Sequence, residues 1–156
     1  MRKFPASRFV FVARDPRDGY RSAKKNPRYW HSLPSSDPLQ AFVETWIWSI
    51  NAYRSLRDQS AVHLLSYENF CREPEQQLQA VNEFLGLDTQ DRQLEPASYG
   101  QTRLGELKGQ TRLREPITAE TVGRWKDELD VKEVRSIEAQ ASEEMKRLGY
   151  SLSHSE

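Results

Sequence analysis

The chain has 156 residues, 37% of them hydrophobic, which is enough for about one domain with a buried core. Lysine plus arginine equals aspartate plus glutamate at 23 each, so no whole-chain field draws it to nucleic acid or to a membrane surface, and any anion site has to be local. The single cysteine, Cys71, excludes an internal disulfide and is compatible with a reducing, cytoplasmic setting; no apolar run approaches the roughly 20 residues of a membrane span, and the first residues lack the apolar core of a signal peptide, so the chain as given is expected to be soluble.

Phe9 to Ala13 is continuously apolar and predicts a strand buried on both faces, as in a parallel sheet flanked by helices. Arg14 then stands at the strand's carboxyl end, the edge where open α/β sheets bind ligands. Asp15 is an N-cap candidate, Pro16 suits the first helical position, and Asp18 completes a capping-box pattern that favours the positive end of the helix dipole. From that helix Ser22, eight residues beyond Arg14, can present a hydroxyl donor while Arg14 presents a planar fork matched to phosphate oxygens. Taken alone, the run from Arg14 to Asp18 is equally a well-capped helix start with solvated charges.

Asn26 to Asp37 carries two prolines and several serines without periodicity and predicts a loop, with Tyr29 and Trp30 in it. Asp37 and Pro38 open a long helix to about Arg57, its apolar residues Leu39, Phe42, Val43, Trp46, Ile47, Ile50 and Tyr53 at helical spacing; Trp46 and Trp48 are expected to pack. Ala61 to Leu65 predicts a second buried strand ending at Ser66, so strand, helix and strand alternate as in a βαβ unit and Tyr67, like Arg14, lies at a strand end. Pro74 starts a helix with Leu78, Val81, Phe84 and Leu85 on one face and Gly86 as its stop. The polar span from Asp88 to Pro116 predicts a basic surface loop or flap, within which Gly100 to Leu104 recurs as Gly109 to Leu113. The last helix carries Val134, Ile137, Ala141, Met145 and Leu148 and stops at Gly149; it is expected to pack on the sheet, with Tyr150 in the contact after the stop and a frayed tail from Ser151.

Four segments, in order, resemble the C-terminal part of the sulfotransferases that use 3′-phosphoadenosine 5′-phosphosulfate (PAPS): Arg14 to Asp18 with Ser22; Tyr67 to Pro74; Phe84 to Leu87; and Val122 to Leu129 leading to Leu148, Gly149 and Tyr150. The resemblance implies a three-layer α/β fold with a parallel sheet of the nucleotide-kinase-like, P-loop type, and a single domain over residues 1–150 followed by a tail, 151–156. It implies transfer of a sulfuryl group from PAPS to a hydroxyl or amine acceptor, leaving 3′-phosphoadenosine 5′-phosphate (PAP). It also implies that Arg14 and Ser22 bind the cofactor's 3′-phosphate and that Tyr67 contacts its adenosine side. In some branches a basic residue before the late tryptophan touches the cofactor; here that is Arg124, which is equally a solvated charge beside a packed Trp125.

Two family features have no counterpart in the chain. One is the glycine-, serine- and threonine-rich 5′-phosphosulfate loop; the other is the usual base, a His or Glu upstream of the arginine strand. Lys3 to Phe9 resembles the lead-in to that strand, so the expectation is a domain incomplete at its N-terminus, with no assignable catalytic residue. His31 is expected at the surface and His63 in the core. No His, Cys or carboxylate spacing predicts a metal site, and no Gly-x-x-x-x-Gly-Lys loop predicts ATP or GTP hydrolysis.

Three functions are therefore in contention. The first is a sulfotransferase. The second is a non-catalytic PAP- or PAPS-binding remnant that needs a partner chain or self-associates through an open sheet edge. The third is nucleic-acid binding by a stripe of Arg14, Arg17, Arg21, Lys24 and Arg28, which the neutral net charge disfavours. The acceptor is not legible.

Overall fold

The computed structural model describes residues 7–25, 37–56, 61–95 and 116–153. The Asn26 to Asp37 loop up to residue 36, with His31 in it, the two copies of the Gly-Gln-Thr-Arg-Leu repeat, and residues 154–156 lie outside the described residues.

Strand β1 (Phe9–Ala13) pairs in parallel with β2 (Val62–Ser66), Phe9 facing Val62 and Ala13 facing Ser66 in register. Between them run helix α1 (Pro16–Lys24) and helix α2 (Pro38–Leu56), which is the predicted βαβ order. Side chains alternate across a strand, so Phe11 and His63 lie on opposite faces of the sheet. Tyr53 of α2 stacks on Phe11 with ring centroids 4.9 Å apart. Phe84 of α4 (Pro74–Leu85) lies 5.3 Å from the His63 ring on the other face. Helix, sheet and helix thus form three layers.

The strands are not sealed as expected. Phe9 and Val12 are 53% and 54% exposed, and Leu64 37%. Tyr53 and Phe84 each cover part of one face and leave Phe9, Val12 and Leu64 exposed, whereas Ala13 at the end of β1 is buried.

Capping fixes most helix ends. Asp15 accepts from the Arg17 amide at α1, Asp37 accepts from the Leu39 and Gln40 amides at α2, and Ser66 accepts from the Asn69 amide at α3 (Tyr67–Arg72), a short helix that the sequence pattern does not announce. Helix α4 ends at Gly86 in the left-handed region, with the Leu87 amide returning to the Asn82 carbonyl. The polar stretch beyond it contains a 3₁₀ turn at Asp91–Leu94. A second 3₁₀ turn, Ala119–Thr121, precedes α5 (Trp125–Glu128) and α6 (Val131–Arg147). Helix α6 starts in a capping box of Asp130 and Glu133 and stops at Gly149, where the Tyr150 amide bonds the Met145 carbonyl.

The core is formed by Tyr20 of α1, Phe42 and Val43 of α2, and Ile137, Ala141 and Met145 of α6. Helix α6 therefore packs chiefly against α2 and α1 and not, as expected, on the sheet. The residue spacing that marked its apolar stripe is silent about which neighbour receives it. The predicted packing of Trp48 also fails: it is 71% exposed, whereas Trp46 turns inward and donates from its indole nitrogen to the Arg14 carbonyl at 3.0 Å. The start of the tail is held and not frayed, because Leu152 packs on the core and Ser153 donates to Glu138 from both its amide and its hydroxyl.

One buried ionic cluster joins these layers. Arg17 is bidentate to Asp15, at 2.9 and 2.6 Å, and reaches Glu138 of α6 at 2.6 Å, while its guanidinium lies 3.9 Å from the Trp125 ring centroid. Burial works against the Arg17 charge, but Asp15 and Glu138 outweigh it and hold its pKa above the ordinary value. Burial likewise opposes ionisation of Glu138, yet the Ser153 donors and Arg17 bring its pKa below the usual 4.5.

A carboxyl whose folded pKa is depressed contributes stability above its unfolded pKa and loses it as pH falls through the folded value. The Glu138 contribution is therefore expected in full above about pH 4.5 and to fade in more acid solution. Glu138→Gln should cost about 1–3 kcal/mol at neutral pH. In urea titrations from pH 7 to pH 3 the gap between variant and native chain should narrow as the acid limit is approached; a gap independent of pH would contradict the pairing.

Candidate nucleotide site

Arg14 follows β1 directly, and its side chain is turned toward the start of α3. Its guanidinium carbon lies 4.2 Å from the Tyr67 ring centroid, a cation–π stack. The Arg14 Nη2 donates over a long 3.4 Å to the Thr121 carbonyl, and its Nε is buried without a hydrogen-bond partner among the described residues. Buried polar atoms are normally satisfied, so this donor is what an incoming oxygen acceptor would complete. Tyr67 Oη and Thr121 Oγ1 share a hydrogen bond of 3.1 Å. Arg14, Tyr67 and Thr121 thus converge from three elements.

Tyr67 and Thr121 also line a cleft of about 240 Å³ with Phe70, Cys71, Ile117 and Arg124. Arg124 sits at the start of α5 with its Nε 4.0 Å from Glu128, at the limit of ion pairing. The structure therefore gathers Arg14, Tyr67 and Arg124 around one region. Ser22 is exposed on α1, and its hydroxyl has no partner among the described residues. It stands one turn beyond Asp18 on the same helix face.

Asp18 does not close the capping box proposed from its spacing. The Asp15 amide is taken by Glu68 at 2.8 Å instead, and Asp18 accepts from the backbone amides of Gly123 at 2.5 Å and Trp125 at 3.0 Å. Glu68 also accepts from the Tyr150 hydroxyl at 3.1 Å. Burial, and then Glu68, pushes the Tyr150 pKa up, which keeps the phenol a donor.

Thr121 and the bracing role of Asp18 escaped the sequence reading. Thr121 immediately precedes the Val122 to Leu129 segment, so proximity to that motif was the available signal. Nothing local marks Asp18, because its partners lie more than a hundred residues away.

The basic stripe on α1 is largely consumed by internal pairing. Arg17 binds Asp15 and Glu138, Arg21 binds Glu128 at 3.1 Å, and Lys24 binds Glu133 at 2.7 Å; Arg28 lies outside the described residues. Those carboxylates leave little of the stripe's charge for a polyanion. His63 sits in the sheet layer against Phe84, away from Arg14. Among the described residues no group of three or more His, Cys, Asp or Glu side chains is placed to hold a metal ion, and no helix is long and apolar enough to cross a membrane.

The arrangement is an α/β sheet edge at which Arg14 lies over Tyr67, a residue that lines the cleft, and the wider comparison is consistent with the fold. A model of the sulfotransferase domain matches residues 3–149, and the chain belongs to that family. A sulfotransferase domain from the curacin biosynthetic pathway superposes with a TM-score of 0.68 at 18% identity, covering 94% of this chain and 54% of that one. Mouse sulfotransferase SULT7A1, solved in complex with PAP, superposes with a TM-score of 0.53 at 18% identity, covering 89% of this chain and 58% of that one. At this identity the likeness establishes the fold, and the chain spans little more than half the length of either structure. No curated protein sequence matches significantly.

Gly123 adopts φ +80 within the Asp18-bound turn, in the region open to glycine and costly for other residues. A Cβ there meets no atom within 4 Å, so backbone strain is the whole penalty. Gly123→Ala should lower stability by about 1–2 kcal/mol in urea titration; a neutral result would mean that the turn does not hold this conformation.

Proposed function

We propose that this chain forms the nucleotide-gripping part of a PAPS-dependent sulfotransferase, a single sulfotransferase-type domain over residues 1–150 with a short tail, passing a sulfuryl group to a hydroxyl or amine acceptor. The observation that carries the reading is the Arg14 guanidinium at the end of β1, 4.2 Å over the Tyr67 ring centroid, with a buried Nε that has no partner among the described residues. A planar cation fixed by stacking and left with donors to spare suits a phosphate oxygen pair better than a single-point contact. Ser22, exposed on the α1 face, supplies a hydroxyl to the same 3′-phosphate, Tyr67 borders the adenosine, and Arg124 adds positive charge at the far side of the cleft.

When bound, PAPS supplies the transferable sulfuryl group. The chain's own residues named here orient the nucleotide, and none of them is placed to take a proton from an acceptor. The PAP complex of the mouse relative supports a nucleotide ligand of this class. A cytoplasmic, reducing setting accords with the buried, unpaired Cys71 thiol.

A second reading shares the clamp and omits the chemistry: a nucleotide-binding module completed by a partner chain or a second copy. The exposed apolar residues Phe9, Val12 and Leu64 on the sheet favour it. Assaying sulfuryl transfer from PAPS across hydroxyl and amine acceptors separates the two, since the module binds PAP and turns nothing over.

The clamp itself is tested by calorimetric titration of the chain with PAP and, as control, adenosine 5′-phosphate. PAP should bind and the control should bind far more weakly. Arg14→Ala should weaken PAP by about 10–100-fold, the equivalent of losing charge-assisted hydrogen bonds worth about 1.5–3 kcal/mol, and Ser22→Ala by less. A folded chain that binds neither nucleotide, or binds both equally, would overturn the reading.

A further inference from the structure

We infer that Asp18 is a positioning residue of the nucleotide site: its carboxylate holds the Gly123 to Trp125 turn so that Thr121 and Arg124 close over Arg14 and Tyr67. This rests on the reading of Arg14 and Ser22 as a 3′-phosphate clamp.

Asp18 is 1% exposed and lies in the first turn of α1. Its two oxygens take separate backbone donors, Oδ2 the Gly123 amide at 2.5 Å and Oδ1 the Trp125 amide at 3.0 Å. A carboxylate gripping two amides two residues apart fixes both the position and the rotation of the peptide planes between them, which a single bond cannot do. Arg17, in the same turn of α1, lies against the Trp125 ring at 3.9 Å. One turn of one helix therefore holds the segment by its backbone and by its side chain.

The segment so held carries the groups that meet the proposed clamp. Thr121, two residues before Gly123, accepts from Arg14 Nη2 through its carbonyl and bonds Tyr67 through its hydroxyl. Arg124, between the two amides that Asp18 binds, lines the cleft. Ser22 stands four residues along α1 from Asp18, on the same face. Asp18 thus sets the distance between the α1 side of the site and the cover that faces it, without itself offering a donor to an anion. As a carboxylate it would repel phosphate if exposed; buried and saturated by two amides, it acts only through the backbone it holds.

The test is calorimetry of the full chain with PAP and adenosine 5′-phosphate, read as the ratio of their dissociation constants, together with amide hydrogen exchange of the nucleotide-free chain. In Asp18→Asn one acceptor oxygen becomes an amide nitrogen facing a backbone donor. The PAP affinity should fall about tenfold while the control nucleotide changes less than about threefold, and exchange protection at Gly123 and Trp125 should be lost while α6 keeps its own. Val134→Ala, a core truncation in α6, gauges a purely structural loss and should leave the nucleotide ratio as in the native chain. If Asp18→Asn does not fold, Asp18→Glu, which keeps the charge and displaces its oxygens, is expected to show the same loss of ratio.

A native chain that binds PAP, paired with an Asp18 variant that keeps the native ratio or the native protection of both amides, overturns the role of Asp18 alone. A folded native chain that does not bind PAP overturns the clamp and this inference with it.

Discussion

The Arg17 guanidinium, enclosed by Asp15, Glu138 and the Trp125 ring, is the contact on which the rest of the arrangement depends. It joins the turn after β1, the C-terminal helix and the segment that leads into α5, which are distant in the chain. Its worth is not simply stability. A buried ion pair recovers little beyond the cost of removing both charges from water, whereas removing one partner and leaving the other buried is costly. Such a cluster penalises any packing that separates its members. It therefore selects the arrangement in which α1, α5 and α6 meet, and Arg14 stands immediately before that junction.

From this junction the site follows in a few steps. Asp15 and Pro16 start α1, and Glu68 fixes the Asp15 amide from the start of α3, so Arg14 leaves β1 in a set direction beside Tyr67. Trp46 holds the Arg14 carbonyl from α2. Asp18 and Arg17 then bring the 121–125 segment over it. Asp15, Arg17, Asp18 and Glu68 are buried and paired and Trp46 is half-buried, whereas Arg14 Nε and the Ser22 hydroxyl are without partners among the described residues.

Much of this was legible before the fold was known, where the signal was local. The Asp15 and Pro16 helix start, the apolar stripe ending at Gly149 and the parallel order of strand, helix and strand depend on short-range periodicity and capping, and they appear as read. The failures share a cause. Periodicity marked the α6 stripe as packed without naming a partner, and α6 turned to α2 and α1; Trp48, off the apolar stripe of α2, was expected to pack as a large aromatic and is exposed. The capping-box spacing of Asp18 described an interaction available within the helix, but a pair of amides far along the chain competes for the same carboxylate and wins. The continuous apolar run of β1 implied burial on both faces, which requires neighbours across its whole length; among the described residues Ala13 is buried while Phe9 and Val12 stay exposed. Local chemistry thus placed Arg14 at a strand end and the resemblance made it a candidate, but only the tertiary structure shows it over Tyr67 and bonded to the Thr121 carbonyl.

The most direct test of the account is nuclear magnetic resonance mapping of PAP on the full chain, following backbone amide and arginine side-chain signals through a titration. The account predicts the largest perturbations at Arg14, including its Nε proton, at Ser22, and from Thr121 to Arg124, with the α6 amides little changed. Perturbations concentrated elsewhere, such as around Gly149 to Ser153, or none at all in a folded chain, would contradict it.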